Sequence, residues 1–233
     1  MRQRHIKNAT EENMTLMGVQ FEVKRVFLSP ERKVHVEIGS GKGQFITSLA
    51  KDYPEIQFVA IEKDIDVCYR IAEKKVLYEL DNLTIINLDA VHLDMLFEPK
   101  SIDQIYLNFS DPWPKKKHQK RRLTAKFYIS VYQRLLKPGG IIQCRTDHYD
   151  FFIDSMDTLG QAFHLENVDF NYPITPYMTE YEEKKRASGP IYQLRGTLNH
   201  DSPTLSWSIW FASHFWVWKT RPILHEIIHG KVS

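Results

Sequence analysis

The chain has 233 residues, 42% hydrophobic and 12% aromatic, enough apolar material for one large domain and too much for an intrinsically disordered chain. Two cysteines, Cys68 and Cys144, exclude a disulfide framework and a multi-thiolate zinc site, and no His/Cys/Asp spacing suggests a metal site. The formal net charge of +2 hides an asymmetry: residues 115–122 read Lys-Lys-Lys-His-Gln-Lys-Arg-Arg, and removing these six cations leaves 25 basic against 29 acidic residues.

In chain order, the apolar pattern predicts alternating strands and helices. Strands are expected at 34–38, 58–61, 83–88 and 104–109, a fifth beginning at 141–144, and two more at 163–170 and 191–195. Helices are expected at 44–51, after a cap at Asp64, from Thr124 to a stop at Lys137-Pro138-Gly139-Gly140, and at 149–159. Such alternation specifies an α/β fold with a parallel, doubly wound sheet. The organisation expected is a basic arm and helix over 1–33, a main domain over 34–196 and a Trp-rich extension over 197–233. Four of the five tryptophans fall in the last 27 residues. There the chain could add an edge strand, lie on an interface or meet a second subunit, and packing on its own domain or a second subunit is preferred. The basic start (Met1-Arg2-Gln3-Arg4-His5) is followed by no apolar run, and the longest mainly apolar stretch, 205–218, is short for a membrane span. A cytoplasmic protein without a membrane span is therefore expected.

The first strand runs into Glu37-Ile38-Gly39-Ser40-Gly41-Lys42-Gly43 and then a helix. Glycines at alternate positions allow a sharp turn and close approach to a ligand. The spacing is neither a P-loop nor a dinucleotide fingerprint, and Glu37 before the first glycine favours a ligand bearing positive charge or amine donors. Glu62 and Asp89 end the next two strands, where open α/β sheets bind ligands, and Glu62 stands where a carboxylate can accept from ribose hydroxyls. The fourth strand leads into Asn108-Phe109-Ser110-Asp111-Pro112-Trp113-Pro114, a rigid loop able to hold a flat aromatic substrate near Asp111. Next to it, the basic run offers phosphate contacts. Thr179-x-x-Glu182 has the spacing of a capping box.

These motifs together resemble the signature of bacterial tRNA (guanine-N7-)-methyltransferases of the TrmB type. The resemblance rests on Asn108 to His118 with Lys120-Arg121-Arg122-Leu123, on the Glu37 to Gly43 loop, on Thr146-Asp147 and on Met178 to Lys184; it covers about residues 34–195. It implies a class I S-adenosyl-L-methionine-dependent methyltransferase (Rossmann-like) fold, with a seven-stranded, mostly parallel sheet whose last strand is antiparallel. It implies methylation of N7 of guanine 46 in the tRNA variable loop; a monomer or homodimer is expected. By that pattern Glu37, Gly39, Gly41, Gly43, Glu62, Asp89 and Asp111 line the cofactor site, and Asp111 is the catalytic residue. Lys115, Asp147, Thr179, Glu180, Tyr181 and Glu182 hold the target guanosine, while Lys117, His118, Gln119, Lys120, Arg121 and Arg122 meet RNA. Two other readings stand beside this one: methylation of a different nucleic-acid base, and an RNA-binding protein that keeps the fold without catalysis.

Overall fold

Strand β3 (Gln57–Ile61) shows how the sheet is built. All five of its residues are buried, and they divide by parity: Phe58 and Ala60 pack on one face, Val59 and Ile61 on the other. A strand covered on both faces belongs in the middle of a parallel sheet with helices on each side. The computed structural model describes residues 5–199; the expectations for the Trp-rich stretch 200–233 lie outside the described residues.

Around β3 the chain lays down α1 (Glu11–Leu16), β1 (Val19–Gln20), β2 (Val34–Ile38), α2 (Gln44–Asp52), α3 (Ile65–Leu77) and β4 (Leu83–Ile86). Then come α4 (Leu93–Leu96), β5 (Ile102–Asn108), α5 (Lys126–Leu135), β6 (Leu136–Thr146), α6 (Tyr149–Leu159), β7 (Phe163–Asp169), α7 (Glu180–Lys185) and β8 (Tyr192–Leu198). The strand order is β1-β4-β3-β2-β5-β6-β8-β7, and β8 alone runs antiparallel to its neighbours. One core holds Phe45, Ile46 and Leu49 of α2, Ile71 and Ala72 of α3, and Met14 of α1. The other holds Leu93 and Leu96 of α4, Tyr132 and Leu135 of α5, and Phe151 and Phe152 of α6.

The sheet has eight strands where seven were expected. The extra one, β1, is a two-residue edge pairing Val19 with Ile85, too short to leave a periodic pattern. Residues before Val34 pack into this same body: Met14 is fully buried, and the Val26 N–H donates to the Leu96 carbonyl at 2.9 Å. Helix α5 begins at Lys126, not Thr124, because the Thr124 hydroxyl is engaged by Ser155 Oγ at 2.9 Å. The Lys137-Pro138-Gly139-Gly140 segment is part of β6 and forms an irregularity there: pairing jumps from Ile102–Leu136 to Gln104–Ile141. Pro138 has no N–H to give the ladder, and Gly139 adopts φ 73°.

Strand β2 sits between β3 and β5, so the chain proceeds outward in opposite directions from this pair. That reversal opens a crevice at the carboxyl ends of β2 and β5, the position where such sheets take ligands.

Candidate active site at the carboxyl edge of the sheet

Glu37 closes β2 in that crevice and is 0% exposed. Its Oε1 accepts from Asn108 Nδ2 across the β2/β5 boundary at 2.8 Å. Glu37 Oε2, Asn108 Oδ1 and Ser110 Oγ are buried without a partner. Burial, aided by the nearby Glu62 charge, pushes the Glu37 carboxyl up to about 8 against the opposing effect of the Asn108 hydrogen bond. Unpaired buried acceptors are costly and rare, so this trio points to a ligand that brings donors. A cationic amine meets that demand.

The turn after β2 curls over the same crevice. Gly39, Gly41 and Gly43 have φ of 74°, 55° and 78°. A β-carbon at Gly43 would lie 2.9 Å from Ile71, so this position is closed to larger residues, whereas Gly39 and Gly41 face open space. Glu62 braces the turn: its carboxylate accepts from the Gly41 N–H at 2.9 Å and the Asp64 N–H at 3.0 Å. Burial nevertheless raises its pKa. Asp89 is half-exposed; Oδ1 accepts from the Val91 N–H at 3.1 Å, and Oδ2 lies 3.7 Å from Lys63 Nζ.

Beyond Asn108, the loop carries two left-handed non-glycine residues, Phe109 (φ 53°) and Trp113 (φ 39°), flanking an exposed Asp111. A 3-10 turn, Lys116–Arg121, follows, with Lys115 just before it. Lys115, Lys117, Lys120 and Arg121 are exposed, while His118 and Gln119 are half-buried. The Arg121 guanidinium lies 5.1 Å from the Trp113 ring centroid, and the His118 ring 5.8 Å from it. Arg122 departs from the expectation of an RNA contact. It is buried, and its guanidinium is taken by the Pro112 and Trp113 carbonyls and by Asp154.

Helix α7 approaches from the far side. Thr179 caps it, accepting from the Glu182 N–H at 2.9 Å. Only that half of the expected capping box is made, because the Glu182 side chain turns inward to Arg145 Nη1 at 3.3 Å and to Arg186. Glu182, expected to hold guanosine, is therefore fully buried between two guanidinium groups. Glu180 accepts from Lys74 Nζ at 2.9 Å, and the same ammonium donates to the Lys42 carbonyl of the glycine turn at 2.7 Å. Tyr181 is exposed, with its ring 5.2 Å from Phe109 and its hydroxyl donating to Asp147 at 3.2 Å. Glycine turn, Asp111 loop and α7 thus enclose one region of the carboxyl edge.

Arg145 and Lys74 were not singled out from the sequence. Arg145 had a signal, being a charged residue that continues the largely apolar stretch Ile141-Ile142-Gln143-Cys144. Its guanidinium holds Tyr177, Gln193, Tyr172 and Glu182 together and lies 4.4 Å from the Tyr172 ring centroid. Lys74 had none, since it lies on the polar face of α3.

A family described as putative methyltransferase matches residues 31–194. A tRNA (guanine-N(7)-)-methyltransferase of Lactiplantibacillus plantarum is 44% identical over 177 residues, covering 73% of this chain and 82% of that protein. One from Lachnoclostridium phytofermentans is 43% identical over 168 residues, covering 69% and 78%. Among solved structures, the 16S rRNA methyltransferase KamB aligns with a TM-score of 0.57 at 14% identity, covering 82% of this chain and 94% of that one. An antibiotic-related methyltransferase aligns at 0.54 with 18% identity, covering 76% and 98%. The last two share only the fold, which is that of the class I methyltransferases. Identity above two fifths over most of both chains reaches further, and this chain is a member of the tRNA (guanine-N(7)-)-methyltransferase family.

Proposed function

We propose that this protein transfers a methyl group from S-adenosyl-L-methionine to N7 of a guanine in the variable loop of tRNA. The observation that carries the reading is the set of unpaired buried acceptors, Glu37 Oε2, Asn108 Oδ1 and Ser110 Oγ, beside the loop that holds Asp111 and the basic turn. The acceptors suit an ammonium, the open glycines leave room for a ligand against the backbone, and Asp89 and Glu62 have lone pairs to spare for nucleoside edges. Bound S-adenosyl-L-methionine supplies an electrophilic methyl group on a cationic sulfur.

Guanine N7 carries a free lone pair at neutral pH, so no proton has to leave before it attacks. The N7–carbon bond forms as the carbon–sulfur bond breaks, and the electron pair stays on sulfur. The protein's task is then positioning and electrostatics. Asp111 accepts from the N–H edge of the guanine and stabilises the positive charge that appears on the methylated ring. Lys115 and Asp147 flank the base. Thr179, Glu180 and Tyr181 form the opposing wall, with Glu182 holding that wall in place from below. Lys117, His118, Gln119, Lys120 and Arg121 meet the RNA backbone. The protein works in the cytoplasm as a monomer or homodimer. Among the described residues no helix is long and apolar enough to cross a membrane.

The test is transfer of labelled methyl to unmodified tRNA with and without a guanine in the variable loop. Label at N7 of that guanine, reduced about 100-fold or more by Asp111→Ala, is the expected result. Label on an exocyclic amine would move the reaction to another base position, and cofactor binding without transfer would leave an RNA-binding protein.

A further inference from the structure

Its prolines stiffen the loop that presents Asp111 but leave it few hydrogen bonds of its own. Pro112 and Pro114 carry no N–H, and Phe109 and Trp113 occupy a backbone region unfavourable to residues with a β-carbon. What fixes the loop comes from outside it. Arg122 Nε donates to the Pro112 carbonyl at 2.6 Å, and Nη2 reaches the Trp113 carbonyl at 3.4 Å. Nη1 pairs with Asp154 Oδ2 on α6 at 2.8 Å. The guanidinium lies 5.3 Å from the Phe151 ring centroid, and the residue is 6% exposed. All three guanidinium nitrogens have protein partners and the residue is buried, an arrangement that suits a clamp better than a phosphate contact.

We propose that Arg122 is a positioning residue that clamps the Asp111 loop to α6 and ties the basic turn to it, rather than a contact to RNA. The turn ends at Arg122, whose own N–H donates to the Gln119 carbonyl at 3.0 Å. One residue earlier, Arg121 covers Trp113 at 5.1 Å. Phosphates gripped by Lys116–Arg121 are thereby set in register with the carboxylate. A lysine cannot replace this fork, because an ammonium lacks the planar geometry that spans two carbonyls and an acid. The inference rests on the reading of Asp111 as the residue at the reacting base.

Two variants test it. Arg122→Lys keeps the charge and removes the fork; Asp154→Asn keeps the volume and removes the exposed anchor, which no phosphate would touch. Both should lower kcat for tRNA methylation, Arg122→Lys by about 10–100-fold as expected for a small misplacement, with tRNA affinity and its salt dependence unchanged. Hydrogen exchange should quicken in the peptide spanning 109–122 and stay as in the wild type at the glycine turn 39–43. Unchanged exchange in that peptide would overturn the clamp. So would normal kcat in both variants, the result a simple phosphate contact gives for Arg122→Lys. Absence of methyl transfer in the wild type would overturn the functional reading separately, and the exchange result would still decide the clamp.

Discussion

Glu37 is fully buried, with one carboxyl oxygen bonded to Asn108 and the other without a partner. Burial raises its pKa from 4.5 to about 8. Because the folded state binds this proton more tightly than the unfolded one, the associated stability is fully present below the unfolded pKa. It is lost as pH rises through the folded pKa. Relative to Glu37→Gln, the wild type should lose stability from about pH 5 to pH 9, by at most about 1.4 kcal/mol per pH unit. Thermal or urea unfolding of the two proteins across that range gives the difference directly, and parallel curves would place the proton elsewhere. The strand pattern placed Glu37, Glu62 and Asp89 near the sheet's carboxyl edge, although β4 ends at Ile86 and Asp89 instead caps the 3-10 turn after it. Arg122 was not legible in the sequence. In a run of six cations every member looks alike, and only the fold shows that one of them faces Asp154 and a phenyl ring.

At the scale of elements, the long apolar patterns read correctly: β2 and α6 have the expected bounds, and β3 and α2 differ by one residue. Short elements left less: β1 had no signal, and α7 showed only the capping-box spacing at Thr179, where the helix does start. Helix α7 has six residues, too few to stand alone, so its place depends on contacts made by side chains distant in sequence. Glu180 reaches Lys74, Glu183 reaches Gln44, and Glu182 inserts between Arg145 and Arg186. These contacts rank in a definite order. Thr179→Ala removes one capping bond and should reduce stability by about 1 kcal/mol in urea unfolding. Glu182→Gln leaves the buried Arg145 charge without its counter-ion and should cost about 3–5 kcal/mol. Equal effects from the two substitutions would mean that the ion triad contributes no more than a surface pair.

The whole molecule presents a basic turn on a body that is otherwise mildly acidic, and this charge separation was visible in the sequence before any element was placed. What the fold changes is the count. With Arg122 withdrawn into the interior, Lys115, Lys116, Lys117, Lys120 and Arg121 remain exposed around the turn. Each cation that neutralises a phosphate releases condensed counterions, contributing about 0.7–0.9 to the slope of log affinity against log salt. With Lys115 at the base, the other four give a slope of magnitude about 3 for tRNA binding, measured by fluorescence anisotropy or filter retention between low and physiological salt. Replacing Lys117 and Lys120 together with alanine should reduce that slope by about 1.5. Asp154→Asn should leave it as it is, since Asp154 is an anion on α6 that binds Arg122. A flat dependence would remove the turn from the RNA surface. A slope lowered equally by both sets of changes would mean that the Asp111 loop and the basic turn cannot be separated into a positioning part and a binding part.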